Sequence, residues 1–433
     1  MKRCKTCGPS LRNEDRISEL PEALLLQILS LLPTKDVTAT SVLSKRWKSL
    51  KKIVPNLEFI YNERNNLESE SDLERFSNNV SRHLLSYQAP VLQSFHLNVS
   101  SYDEGLIDIG VLLGIAFGLH VRKLILEVYF DVDSFTFPRN LFNCGTLETL
   151  EFRAFILLDV PSQVCLKSLK TLHLHDVEYQ DAKSVRNLLS GCVNLENLVV
   201  DRNGHDCVKT FTITVPSLKR LTILDDHYHS KYVINAPSLK YLKIQGASCF
   251  RSCLIENVSE LVEANIEILY AIYENILESL TSVKRLSLSI SPLEVTFPTG
   301  SIFYKLVYLE LCACRADWWN LLTLMLDTSP NLEFLKLIGP CHKYIKPVPW
   351  GQWNQPKNVP ECLLHHLEIF IWKDYEWQRE NEKEVANYIL RNASCLKKAT
   401  FSKRGLNSKE RLDMVEDLES VVKASSTCQL VFK

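Results

Sequence analysis

LKTLHLHDVEYQDAKSVRNLLSGCVNLENLVV, residues 169–200, carries one short pattern twice: LKTLHL from Leu169 and LENLVV from Leu195. Apolar residues alternating over so few positions favour a strand with one buried face. Between the copies, Val185, Leu188 and Leu189 share one helical face, and Gly191 stands where a helix can end. A single strand with its return segment cannot cover its own apolar side, so such units must stack on neighbours.

Outward from this stretch the pattern continues both ways. LQSFHL starts at Leu92, VRKLIL at Val121 and LETLEF at Leu147. LKRLTI follows at Leu218, LKYLKI at Leu239 and a degenerate LVEANI at Leu261, then VKRLSL at Val283, LVYLEL at Leu306, LEFLKL at Leu332 and LEIFIW at Leu367. The steps run from 21 to 29 residues until a last one of 35, which is the period of leucine-rich repeats. The expected class is α/β, a solenoid with parallel strands on its concave face. Spacings between Leu195 and Leu261 leave little room for a helix, so an irregular return side is expected there. Helices are expected between Asp176 and Cys192 and over Trp318–Pro330. Polar positions between the leucines or just after each strand point outward, and His173, His175, Asn197, Arg220, Thr222, Asp225, Tyr241 and Lys243 are the candidate binding residues.

The N-terminal region has a different grammar. In DRISELPEALLLQILSLLPTKDVTATSVLSKRWKSL, residues 15–50, Pro21 suits a first helical turn, and Leu24, Leu25, Ile28, Leu29 and Leu32 recur at one-turn spacing. Pro33 ends that helix, Thr34 can cap a second, and Ser44 a third carrying Trp47. Three helices this short cannot bury all those leucines among themselves. A helical hairpin would explain the leucines alone but not their order with Leu20-Pro21, Leu32-Pro33 and VLSKRW. A helix-turn-helix reading DNA would use Lys45, Arg46, Lys48, Lys51 and Lys52, but no other basic stripe joins them.

Here the sequence resembles the F-box family in its plant form, through DRISELPE, LLLQILSLLPTK and VTATSVLSKRW. The resemblance implies docking on a Skp-type adaptor and, through it, on the cullin of a ubiquitin ligase. By position it implies that Leu20, Pro21, Leu24, Ile28, Leu29, Leu32, Pro33 and Val42 supply adaptor contacts or the core beneath them, with Trp47 packing the third helix. From Val359, VPECLLHHLEIFIWKDYEWQRENEKEVANYILRNASCLKKATF resembles the FBD domain that follows leucine-rich repeats in plant F-box proteins. That family usually has glycine where Trp377 stands, so strain is expected if φ there is positive. The expected organisation is a disordered N-terminus over 1–14, an F-box over 15–60, a linker and connecting helix over 61–90, repeats over 91–358, and an FBD domain with a C-terminal cap over 359–433. In the cap, a helix over 408–423 is expected to carry Leu412, Val415, Leu418 and Val422 on one face, with CQLVFK a final strand.

Composition bounds the function. Lys and Arg number 50 against 51 Asp and Glu, for a net charge of −1 over 433 residues, so no global field draws the chain to nucleic acid or an anionic membrane. No apolar run approaches the roughly 18 residues that span a bilayer, and the start of the chain lacks a secretory pattern. The nucleus or cytoplasm is expected. The 14 cysteines are scattered and read as thiols; the lone Cys4–Cys7 pair has no second pair at zinc-site spacing. Asp225, Asp226, His227, Tyr228 and His229 read as a polar turn. No phosphate loop, nucleophile elbow or zinc-protease motif is present, and neither a cofactor nor a metal site is expected.

What remains is recognition: a non-catalytic receptor subunit that docks an adaptor through its F-box and an unidentified protein substrate through its repeats. A non-degradative leucine-rich-repeat scaffold is the alternative.

Overall fold

The computed structural model describes residues 17, 19–63, 70–101, 107–130, 134–154, 156–202, 207–226, 230–246, 252–268, 276–290, 300, 302–312, 318–339, 353–403, 405 and 408–433. The Cys4–Cys7 pair, the 1–14 tail and His227–His229 lie outside these residues. The chain forms two compact units, Met1–Leu126 and Glu127–Lys433, with the division inside one strand.

The first unit opens with three short helices, α1 (Glu22–Ser30), α2 (Thr34–Thr40) and α3 (Lys45–Leu50). Strand β1 (Asn56–Asn62), helix α4 (Glu70–Leu85), strand β2 (Ser94–Ser101) and helix α5 (Ile109–Gly118) lead into β3 (Lys123–Phe130). β1 pairs with β2 in parallel, Leu57 beside Phe95 and Phe59 beside Leu97. On α4, Leu73, Val80 and Leu84 are buried while Leu85 is exposed.

The second unit is built from the repeats. Its main strands are β5 (Thr149–Arg153), β7 (Thr171–His175), β9 (Asn197–Arg202), β11 (Arg220–Asp225), β13 (Tyr241–Gly246), β15 (Glu263–Ile268), β16 (Arg285–Ser289), β17 (Tyr308–Cys312), β18 (Phe334–Ile338), β19 (Ile369–Lys373), β20 (Lys398–Ser402) and β21 (Gln429–Phe432). They lie in that order as hydrogen-bonded neighbours. Each of the twelve repeat units starts its strand two residues after its first apolar residue, from Leu92 and Ser94 to Leu367 and Ile369. That constancy follows from the pattern: the first leucine ends the preceding turn, and the next two fall on alternate strand positions and enter the core. In β7, Leu172 and Leu174 are buried while Thr171, His173 and His175 are half-exposed.

The return side differs from the expected irregular one. β10 (Thr210–Thr214), β12 (Lys231–Asn235) and β14 (Ser252–Glu256) form a second parallel sheet, and β4 (Phe135–Thr136), β6 (Ile156–Leu158) and β8 (Glu178–Tyr179) a third. Phe211 with Ile213, Tyr232 with Ile234 and Cys253 with Ile255 point inward at every second residue. The short spacing excludes a helix, and period-two burial selects a strand instead.

The remaining helices are α6 (Ala182–Ser190), α7 (Trp318–Thr328), α8 (Glu361–His365), α9 (Glu380–Asn392) and α10 (Ser408–Glu419). The Asp181 side chain accepts the Ser184 N–H and caps α6. Gly191 follows α6 with φ −77°, so its role is not a left-handed turn. A Cβ there would stand 2.3 Å from Val164 Cγ1, and the position requires glycine for close approach. α10 ends at Glu419 and buries Leu418 together with Met414; Val415 is half-buried, and Leu412 and Val422, expected on the same face, are exposed. No described helix is long and apolar enough to cross a membrane.

Candidate interaction surfaces

The helical tip separates buried from uncovered leucines. Leu25, Leu29, Val37, Trp47, Leu50 and Val54 form one buried cluster, with Leu20, Leu26 and Ile53 packed against it. Ser44 accepts the Trp47 N–H and caps α3, and the Arg46 guanidinium donates to the Leu20 carbonyl at 2.6 Å, tying the entry of the motif to its last helix. Pro21 and Pro33, not Thr34, take the N-cap positions of α1 and α2. The Thr34 hydroxyl instead accepts the Glu58 N–H at 2.7 Å.

Of the residues the F-box resemblance singles out, Leu29 and Trp47 are core, Leu20 is half-buried, and Pro21, Leu24, Ile28, Leu32, Pro33 and Val42 are exposed. Leu24, Ile28 and Leu32 recur at four-residue spacing on one side of α1 and its C-terminal turn. Val42, at 85% exposure, sits in the turn before α3. Ile17, Leu31 and Leu43, which the F-box resemblance does not single out, are also exposed; the signal for Leu43 is an apolar pair, Val42-Leu43, inside an otherwise polar turn.

On the second unit, parallel register turns scattered candidates into rows. Asn197, Arg220 and Tyr241 are direct neighbours across β9, β11 and β13, and the Arg220 guanidinium lies 4.2 Å from the centre of the Tyr241 ring. Val199, Thr222 and Lys243 make the next row, continued by His173 on β7 and Asn265 on β15. His175 stands beside Asp201 in the third. The rows belong to one face because outward positions repeat every second residue and the strands are in register.

Asp225 departs from the expected outward-facing role. It is 2% exposed and its carboxylate pairs with buried Arg202, Nη1 to Oδ2 at 3.3 Å, and accepts the Tyr232 hydroxyl. Burial, the larger cause, and the Asp225 carboxylate both push the Tyr232 phenol above its ordinary range. The residue closes β11 over the second sheet and is part of the scaffold, not of a binding row.

Comparison with known proteins matches these regions one by one. The F-box domain family matches residues 17–59, the leucine-rich repeats described from FBD-associated F-box protein At5g56370 match 119–256, and the FBD family matches 355–401. F-box/FBD/LRR-repeat protein At3g26920 of Arabidopsis thaliana is 57% identical over 439 residues, covering all of this chain and 99% of that protein. The chain belongs to the F-box/FBD/LRR-repeat family. Two further Arabidopsis thaliana members are At4g00160, 52% identical, and At3g52680, 51% identical, each covering 98% of this chain and 97% and 96% of the relative.

In this F-box/FBD/LRR-repeat protein the FBD segment continues the repeat sheet: β18, β19, β20 and β21 pair in parallel without a break in register. Trp377 is not among the described residues with positive φ; the left-handed position falls at Asp374, φ 52°, directly after β19. Ala154 and Asp176 take the same conformation directly after β5 and β7. The fold therefore sets its tight exit at the end of the strand, three residues before the tryptophan.

The β1 strand of this F-box/FBD/LRR-repeat protein carries the repeat pattern too. VPNLEF from Val54 has the repeat spacing, and β1 again starts two residues later, at Asn56. The first repeat-like unit therefore begins inside the region assigned to the F-box.

Proposed function

We propose that the chain is the substrate-recognition subunit of a Skp-cullin-F-box ubiquitin ligase. The observation that carries this reading is the uncovered apolar set Leu24, Ile28, Leu31, Leu32, Val42 and Leu43 on a helical unit whose own core is already filled by other residues. Apolar side chains grouped this way on a small unit mark a protein contact. In this reading the exposed set meets the Skp-type adaptor, and Leu29 and Trp47 hold the helices that present it.

The repeat face takes the protein substrate. Its outward rows offer charge and aromatic surface, as at Arg220 and Tyr241, on strands fixed by buried leucines. The face can therefore change partner without changing core. Catalysis is by proximity: a substrate tethered beside a recruited conjugating enzyme meets it at high effective concentration, and the receptor contributes no reacting group. Such a receptor works in the nucleus or cytoplasm.

The test is capture of a Skp-type adaptor by the full chain, compared with a Leu24→Asp and Ile28→Asp double variant and with Leu20→Ala and Pro21→Ala. Loss of capture in a folded variant supports docking; equal capture by all would refute it. Partners recovered by proximity labelling with and without proteasome inhibition then separate a degradation receptor from a scaffold, because only the former has partners whose abundance rises on inhibition.

A further inference from the structure

Three outward side chains from two adjacent strands converge on the open face of the repeat sheet. Glu151 on β5 and His173 on β7 are register partners, and His175 lies two residues further along β7 on the same side. His173 Nδ1 is 3.9 Å from Glu151 Oε2, and His175 Nε2 is 3.9 Å from Glu151 Oε1. The two imidazole rings stand at 89°, with centres 5.9 Å apart. One nitrogen of each ring and one carboxylate oxygen lie within 4.8 Å of one another. These gaps are too long for hydrogen bonds. They are close to the spacing of ligands around a shared ion: metal–nitrogen and metal–oxygen bonds of roughly 2.0–2.2 Å at a tetrahedral angle put the ligand atoms about 3.4 Å apart.

The surroundings favour a cation and orient one ligand. His175 Nδ1 lies 3.3 Å from Asp201 Oδ2. A proton on Nδ1 shared with that carboxylate leaves the Nε2 lone pair turned toward Glu151, the arrangement by which a carboxylate behind a histidine prepares it for a metal. Arg153 holds the Glu151 side chain in place, its Nε donating to Oε1 at 2.8 Å, while its Nη1 donates to Glu127 at 2.8 Å. Glu127, Glu151 and Asp201 outnumber Arg153 beside the two imidazole rings, a local excess of negative charge that suits a cation.

We propose that Glu151, His173 and His175 form a binding site for a divalent transition-metal ion with the ligand preferences of Zn2+. Two imidazoles and one carboxylate are the donor set of three-ligand zinc sites, in which a further coordination position stays open to an outside donor. The site lies on the outward face of the repeat strands, and its existence does not depend on adaptor docking.

The experiment titrates the full chain with Zn2+ and, as a spectroscopic stand-in, Co2+. The wild type and a His173→Gln, His175→Gln double variant are compared after confirming equal metal-free melting. The wild type is expected to bind one equivalent that the double variant lacks, with Co2+ visible absorption but none of the intense near-ultraviolet bands of thiolate ligation, which separates this site from the cysteines. Asp201→Asn is expected to weaken binding by about 10- to 100-fold. Because both histidines are half-exposed, the Gln variants retain the strand core; should they nonetheless unfold, imidazole-proton shifts in Co2+-loaded wild type decide. Equal stoichiometry and affinity in wild type and double variant, or a wild-type spectrum without histidine ligation, overturns the proposal.

Discussion

Arg202 and Asp225 form an ion pair with side chains 1% and 0% exposed, between the main sheet and the second sheet of the repeat unit. Arg202 also donates to the Val208 carbonyl and to the Tyr232 hydroxyl and lies near the Phe211 and Tyr232 rings, so both terminal nitrogens of the guanidinium have partners. Removing one partner leaves the other charge buried without its counter-ion. Asp225→Ala is therefore expected to cost about 3–5 kcal/mol, read as a lowered denaturant midpoint. An Arg202→Met, Asp225→Leu double variant should recover a large part of that loss; if it is as unstable as the single variant, the pair does not act as an isolated buried charge couple.

At the helical tip, position along α1 should separate stability from binding. Leu29 is fully buried and Leu29→Ala is expected to cost about 2–5 kcal/mol. Ile28 is 44% exposed, and Ile28→Asp should leave unfolding within about 0.5 kcal/mol of wild type while abolishing adaptor capture. Thermal melting paired with a pull-down measures both; a strongly destabilised Ile28→Asp would show that the residue belongs to the core.

Close approach at Gly191 makes a third prediction. Gly191→Ala forces a methyl onto Val164, and strain of this kind costs about 1–3 kcal/mol. Gly145, around which a Cβ would meet nothing within 4 Å, is the matched control. Gly145→Ala should be neutral on the same melting curve, and similar losses at both positions would assign the effect to the backbone and not to Val164.

Glu382 sets a pH dependence of definite sign. It is 1% exposed, and burial pushes its carboxyl up from 4.5 to about 7, against the hydrogen bond from the Glu376 N–H and the nearby Arg379. The folded chain keeps this proton to higher pH than the unfolded chain. The contribution is therefore fully present below about 4.5 and is lost as pH rises through about 7. Glu382→Gln cannot titrate, and its denaturation midpoint should fall less steeply than wild type between those values. Parallel pH profiles of wild type and variant would contradict the assignment.

The leucine spacing alone places each of the twelve repeat strands, because a period-two pattern inside a repeat of 21 to 29 residues has one way to bury its apolar side. The order of prolines, leucines and VLSKRW likewise marks the F-box before any coordinate is known. Local pattern carried less where two structures share a period or a face. The return strands β10, β12 and β14 alternate as visibly as the main ones, but nothing local says that they join a second sheet. Asp225 looks like a polar turn residue until Arg202, distant in sequence, is brought beneath it. Leu24 and Leu25 are adjacent and chemically the same, and only the packing of α2 and α3 buries one and leaves the other in solvent. Glu151 and His173 occupy corresponding positions in their repeats and His175 lies two residues further on, yet their meeting depends on the parallel register of β5 and β7. Periodicity is a property of neighbours along the chain, whereas burial, ion pairing and convergence of ligands depend on which segments the fold sets side by side.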